Sequence, residues 1–236
     1  YRPEYTTIIV VGDVDPKRTR PIVEKYWGNW KRGSYKAPIP PEPPQKGART
    51  ANVEWPSPTL PWVTIAYKSA AYTDTEKDSA ALDVLSFLAF GESSELYQRL
   101  VVEQQKTDVL SPAIPDHIDP YLFAIFARVK KPEDMKNVEE QILSTIAGLK
   151  DTLVPVEKLH AVKRRMRYEF ALGMDNSEAI ARTVSHYVAL RRTPETINRV
   201  YDLYAAITPE DIRNVARKYF VENARTTVTL TAPDLV

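Results

Sequence analysis

At 236 residues the chain can bury roughly 70–75% of its unfolded surface, so it needs neither disulfides nor a metal to hold a core. Its 32 Lys+Arg and 31 Asp+Glu leave a net charge of +1, too little to set up a long-range field for nucleic acid or an anionic membrane. With no cysteine it has no disulfide, thiolate metal site or cysteine nucleophile, and no apolar run approaches the roughly 20 residues that cross a bilayer.

Tyr1-Arg2-Pro3-Glu4 leads at once into a strand-like run with no signal-peptide pattern, so the chain reads as an excised or processed segment of a longer protein. Thr7-Ile8-Ile9-Val10-Val11 is a continuous β-branched run, the pattern of a strand covered on both faces. After Gly12, Asp15 caps a helix whose first position is Pro16, where the missing amide hydrogen costs nothing. Ile22, Val23, Tyr26 and Trp27 supply the apolar stripe of that helix, with Trp30 just beyond it. Residues 38–44, PIPPEPP, form a stiff extended connector across the surface, a reading preferred to a docking site for a proline-recognising module.

Strands are predicted near Arg49–Trp55 and Trp62–Ser69, separated by Pro56-Ser57-Pro58. In the second, Val63, Ile65 and Tyr67 alternate with Thr64, Ala66 and Lys68, the period of a half-buried strand. Thr73-x-x-Glu76 reads as a capping box opening a helix with Ala81, Leu85 and Leu88 on one side. The next stretch, Ser93–Val109, reads as a short capped helix that runs into Lys106-Thr107-Asp108 and a strand beginning at Val109. Ser93 and Ser94 can cap it, and Leu96 and Leu100 share a face at i, i+4 spacing. Strands follow near Val109–Ile114 and Tyr121–Val129.

The second half is helical. Met135, Val138, Ile142, Ile146 and Leu149 form one stripe; Val156, Leu159, Val162, Met166 and Phe170 form another. A helix with Ile180, Val184 and Tyr187 comes next. Thr193-Pro194 and Thr208-Pro209 each announce a further helix start, the last helix using Ile212, Val215, Tyr219 and Phe220. Thr226–Thr231 is the closing strand. Together these predict an α+β fold: an antiparallel or mixed sheet of about five to six strands with helices packed on one face. No linker interrupts residues 1–236, which read as a single domain.

Chemistry is harder to find. His117, His160 and His186 have no partner at the spacing that sets two ligands on one helical face. His160 with Glu157 reads as a solvated helix pair, and His117 as part of a hairpin turn. Asp13 and Asp15 resemble an acidic pair, but capping explains Asp15. Ser93-Ser94 has no histidine nearby in sequence to activate it. Lys163-Arg164-Arg165 with Arg167 reads as a solvated face, with an acidic partner or peptide carboxylate as the alternative. Seven glycines make no phosphate loop. From its residues alone the chain is an α+β domain without a visible active site.

Several blocks nevertheless resemble, in order, the pitrilysin/insulinase family of zinc metallopeptidases, above all its two-subunit bacterial and mitochondrial-processing-peptidase-like branch. They are TTIIVVGDVDP with the Tyr26-Trp27 helix end, the Pro-rich connector, Leu60-Pro61 before a strand, SSELYQRL, and ITPEDIRNVARKYF before TTVTLTAP. The resemblance covers nearly the whole chain and implies the family's C-terminal, non-zinc-binding repeat. Members carry His-x-x-Glu-His and a later glutamate in another repeat, holding zinc with a place for water. That motif is absent here. A different repeat supplies an arginine and, seven residues later, a tyrosine that steady the substrate carbonyl. The matching positions here are Val101 and Asp108: valine donates no hydrogen bond, and an ionised aspartate repels a developing oxyanion. Gly91-Glu92 also replaces the glycine-rich approach usual in the family.

The resemblance therefore implies a wall of a peptide chamber and a subunit interface, with no catalytic, cofactor-binding or metal-ligating residue of its own. Zinc would belong to the full-length protein. Its partners would be its own N-terminal zinc-binding half, a homologous subunit supplying the arginine and tyrosine in a heterodimer, and a peptide substrate. Nucleic acid and a membrane span are not expected. The family points to a periplasmic or cell-envelope location, or a mitochondrial one. The alternative is a wholly non-catalytic structural or assembly homologue, like the core proteins of respiratory complexes.

Overall fold

The structure is a computed structural model and describes residues 2–232. The chain forms two compact units. One comprises residues 1–43 and 167–198, the other residues 44–166 and 199–236.

The larger unit holds a five-stranded sheet: β1 (Arg49–Glu54), β2 (Trp62–Lys68), β3 (Thr107–Ala113), β4 (Leu122–Val129) and β5 (Arg225–Thr231). Their order across the sheet is β1-β5-β2-β4-β3. Only β1 and β5 run parallel; the other neighbours are antiparallel, so the sheet is mixed. The alternation read in β2 holds except at one position. Val63, Ile65 and Tyr67 are buried, while Trp62, Thr64 and Lys68 are half-buried on the other face, where the small Ala66 is buried as well. β4 follows the same parity, with Phe123, Ile125, Ala127 and Val129 fully buried and Leu122, Phe126 and Arg128 only partly so; the small Ala124 is again the buried residue of the other face.

Helices α2 (Lys77–Phe90), α4 (Met135–Asp151) and α8 (Pro209–Tyr219) contribute Leu82, Leu85, Phe90, Val138, Ile142, Ile212 and Val215 to one core with those strand residues. Phe123 stands at its centre, its ring 5.9 Å from Phe90 and 5.0 Å from Phe220. The fold is α+β, with helices on one sheet face.

The caps follow the sequence closely. Thr208 and Asp211 form a complete capping box at α8, behind Pro209. At α2 the box is built differently from expectation. The Thr73 hydroxyl accepts from the Glu76 amide at 3.3 Å, but the reciprocal acceptor for the Thr73 amide is the Ser79 hydroxyl at 3.2 Å. Helix α7 (Thr196–Ala206) begins later than Thr193-Pro194 suggests; that pair instead makes a turn, with the Thr193 hydroxyl accepting from the Glu195 amide.

In the smaller unit, α1 (Pro16–Trp27) is capped by Asp15, whose carboxylate accepts from the Lys17 amide at 2.9 Å. Helix α6 (Ser177–Arg191) is capped by Asn176 and ends on Arg192 at φ +61°. Arg192 donates to the Thr7 hydroxyl, and Tyr5 accepts from the Ala37 amide and rings against Tyr35. The strand expected at Thr7–Val11 does not form. Residues 7–11 make no backbone hydrogen bond among the described residues, and Ile8 and Val10 are exposed. The physical reason is that a strand exists only through its ladder, and no described residue of this unit offers a sheet edge. The apolar stripe of α1 is likewise uncovered, with Tyr26 71% exposed and Ile22 and Trp27 exposed beside it. Both features carry strand and helix signals that the described residues leave largely unburied, Trp27 resting 5.5 Å from the Trp30 ring.

Candidate functional site

The stretch from Ser94 to Asp108 is more unusual than a capped helix. Ser94, which is buried, caps α3 (Glu95–Tyr97) by accepting from the Tyr97 amide at 3.1 Å; Ser93 is exposed and takes no part. The chain then widens into a π-helical segment, Gln98–Glu103, and the Gln104 amide reaches back five residues to the Arg99 carbonyl. Such segments are rare and concentrate at functional sites. Leu96 and Leu100 both remain buried. The turn closes with the Lys106 amide on the Leu100 carbonyl at 2.9 Å, which demands a left-handed residue between; Gln105 takes that role at φ +51°. Glycine tolerates this conformation where glutamine is strained. Gln105→Gly should therefore raise stability by about 0.5–1 kcal/mol, the strain relieved outweighing the added freedom of the unfolded chain. Urea denaturation checks this, and a loss of stability would show that Gln105 has compensating contacts.

Beyond the turn, Lys106 binds Asp134 at 3.1 Å and Asn137 at 2.7 Å, tying the segment to α4. Val101 is half-buried and packs against the hydrophobic core. Asp108 sits where the β3–β4 register shifts, between Thr107 and Val109. Both oxygens of its carboxylate are held by Arg128, from Nε and Nη2 at 2.8 Å each, and the Arg128 guanidinium lies over the Trp62 ring. The Arg128 hydrogen bond holds the Asp108 carboxyl below its ordinary range. The negative charge foreseen at this position is thus present but already paired.

The remaining sequence candidates are dispersed. His117 stacks on Tyr121 at 4.2 Å in the β3–β4 connection, and its carbonyl accepts from the Tyr72 amide. His160 is exposed on α5 (Val156–Leu172), and His186 lies against Tyr187 in α6. Among the described residues no three His, Asp or Glu groups converge as metal ligands. The basic run on α5 is partly consumed by structure: Lys163 caps the end of α7, donating to the carbonyls of Ala205 and Ile207 at 2.8 and 2.7 Å. Burial lowers its ammonium pKa, with Lys77 adding repulsion. Arg165 lies 3.9 Å from Glu92.

Two features escaped sequence reading. Asp83, on α2, accepts from the Tyr204 hydroxyl at 2.7 Å. The residue as a whole is half-buried, but its carboxyl end is shielded. That burial, reinforced by the charge of Asp116 and opposed by the Tyr204 bond, pushes it up to about 8. The one available sign was an aspartate within a run, Ala80–Phe90, whose only other polar residue is Ser86. The second is a pocket of about 500 Å³ between the end of α2, the Ser94 turn, α4 and α5, with Arg99 in its lining.

A family model described as the peptidase M16 inactive domain matches residues 1–166. The zinc protease PqqE of Helicobacter pylori is 27% identical over 237 residues, covering 98% of this chain and 52% of that protein. The chain thus spans about half the length of this curated relative. A crystal structure of a protease from Helicobacter pylori superposes with a TM-score of 0.84 at 27% identity, covering 94% of this chain and 53% of that one. The peptidase M16 inactive domain from Pseudomonas fluorescens superposes at 0.78 with 13% identity, covering 95% and 53%, a likeness of fold.

Proposed function

The chain belongs to the peptidase M16 family, as its inactive domain, and on that premise we propose that it is the non-catalytic C-terminal half of a zinc-dependent endopeptidase. In this reading residues 1–236 act as one repeat that walls a peptide chamber and meets other subunits. The observation that carries it is the match to the inactive-domain model over residues 1–166, together with a zinc protease relative aligned across 98% of the chain.

The donor set of this chain does not fit zinc. It has no cysteine, its histidines are dispersed, and the described residues hold no convergent ligand group. Zinc and the water it activates would therefore come from the preceding half, and no hydrolytic step runs through the residues described here. What this chain would contribute is surface. The uncovered α1 stripe and the unpaired Thr7–Val11 run have the chemistry of a helix face and a strand awaiting a sheet edge, and the preceding half would supply that edge. Among the described residues, the sheet face carrying Trp62, Thr64, Phe126 and the Arg128–Asp108 pair stands outside the hydrophobic core, and would face the peptide. Val101 and Asp108 would stand where an arginine and a tyrosine do the electrostatic work in an active arrangement, so those groups would come from a homologous partner in a heterodimer. A periplasmic or cell-envelope setting fits a cysteine-free chain.

Cleavage of an unstructured peptide tests this. The 236-residue chain should be inactive, the full-length protein inactive alone, and the full-length protein mixed with its homologous partner active until a chelator is added. Hydrolysis by the 236-residue chain alone would overturn the reading. In the full-length protein, Val101→Arg with Asp108→Tyr should restore measurable activity without the partner if the matched positions are right; stable but inactive protein would show that they are not.

A further inference from the structure

The pocket beside the π-helical segment has features that chamber-wall packing does not require. Its walls are mostly apolar, including Leu88, Leu149, Val154 and Val162, and its volume of about 500 Å³ lies within the usual range for small-ligand sites. Two cations line it, Lys158 at the rim and Arg99. The Arg99 Nε is buried with no hydrogen-bond partner, a state in which a strong donor is expected to meet an acceptor. The Glu95 carboxylate on the same turn is engaged by Lys158 at the pocket rim and also feels the charge of Arg99, but it does not bond the Arg99 Nε.

Helix α4 adds an independent observation. Gly148 lies in its interior and lines the pocket, and a Cβ there would meet nothing within 4 Å. Glycine is a poor residue for a helix interior, and here no steric demand of the fold explains it. What its missing side chain does is leave the pocket open.

We propose that this pocket binds the C-terminal end of a peptide, its carboxylate on Arg99 and its apolar last side chains against Leu88, Leu149 and Val162. A guanidinium in a sheltered site is the preferred partner of a carboxylate, because two parallel N–H groups match its two oxygens. The exposed hydroxyls of Ser93 and Ser144 at the pocket suit the amide groups of a peptide better than a bare hydrocarbon chain. The assignment rests on this chain's own residues and holds whether or not the parent protein cleaves peptides.

Calorimetric titration of the 236-residue chain tests it, using N-acetyl-leucyl-leucine, the same dipeptide as its C-terminal amide, and decanoate. The free acid should bind at least tenfold more tightly than the amide. Arg99→Gln should weaken the acid at least tenfold and leave the amide unchanged. Gly148→Leu, which fills the pocket from a helix position, should abolish binding of both, while Gly148→Ala keeps the preference for the acid. Thermal unfolding confirms that each variant is folded, and if Gly148→Leu is not, Arg99→Gln decides alone. Equal binding of acid and amide, no binding by the wild type, or an unaffected Arg99→Gln would overturn the proposal. Decanoate binding without dipeptide binding would overturn its assignment to a peptide end.

Discussion

Replacing Phe123 with alanine should lower the free energy of unfolding by about 3–5 kcal/mol, the usual cost of removing a fully buried phenylalanine from a core that cannot collapse around the void. Phe123 is fully buried and stands between two elements, with Phe90 of α2 on one side and Phe220 at the end of α8 on the other. Neither ring can move into the space without unseating its helix. Phe126, three residues along the same strand, is the matched control. It lies on the opposite face and is only half-buried, so Phe126→Ala should cost less than about 1.5 kcal/mol. Urea denaturation of both variants reads the strand parity directly. Equal losses would mean that β4 buries both faces equally.

The second large effect concerns pH. The Asp83 carboxyl, with an ordinary value of 3.8 and a folded value of about 8, keeps a proton in the folded protein that the unfolded chain has lost. Between about pH 4 and pH 8 the native state therefore binds more protons than the unfolded state, and stability falls as pH rises through that window. Asp83→Asn removes the titration while keeping a group that can accept from Tyr204. It should leave stability near pH 4 almost unchanged and raise it at pH 8 by on the order of a few kcal/mol, since each pKa unit is worth about 1.4 kcal/mol. Denaturation curves at pH 4, 6 and 8 for both proteins check this, and a wild-type curve that does not decline over that range would show Asp83 to be ionised in the fold.

A weaker opposite slope exists at acid pH. Asp211 is held down by Lys77 and Thr208 against the cost of its burial, and Asp78 by Lys218 and Tyr219. Carboxyls with depressed folded values stabilise above pH 3.8 and lose that contribution as pH falls through their folded values. Stability should therefore peak on the acid side of neutrality, between the two trends.

The residues themselves determined the local grammar of this protein. Period-two alternation located β2, and 3–4 spacing located α4 and α8, because an element that buries one face must repeat its apolar residues at its own pitch. Asp15, Ser94 and Thr208 announced helix starts because orphan amides demand acceptors in fixed positions. The family was also legible in the order of the blocks, and the match over residues 1–166 agrees with it.

What the sequence could not decide was anything that depended on a partner distant along the chain. Thr7–Val11 has every residue of a strand and no ladder, because pairing is a property of two segments. The Ser94–Asp108 stretch reads as a capped helix running into a strand, yet its hydrogen bonds widen at Gln98–Glu103, with Leu96 and Leu100 both in the core and Lys106 bound to Asp134. Asp108 could be numbered as an unpaired negative charge, but only the β3–β4 register brings Arg128 against it. Arg99 and Gly148 lie far apart in sequence and carry no shared signal. Their common pocket exists because α4 packs beside the π-helical segment, and tertiary packing alone turns a solvated arginine and a poor helix residue into a candidate site.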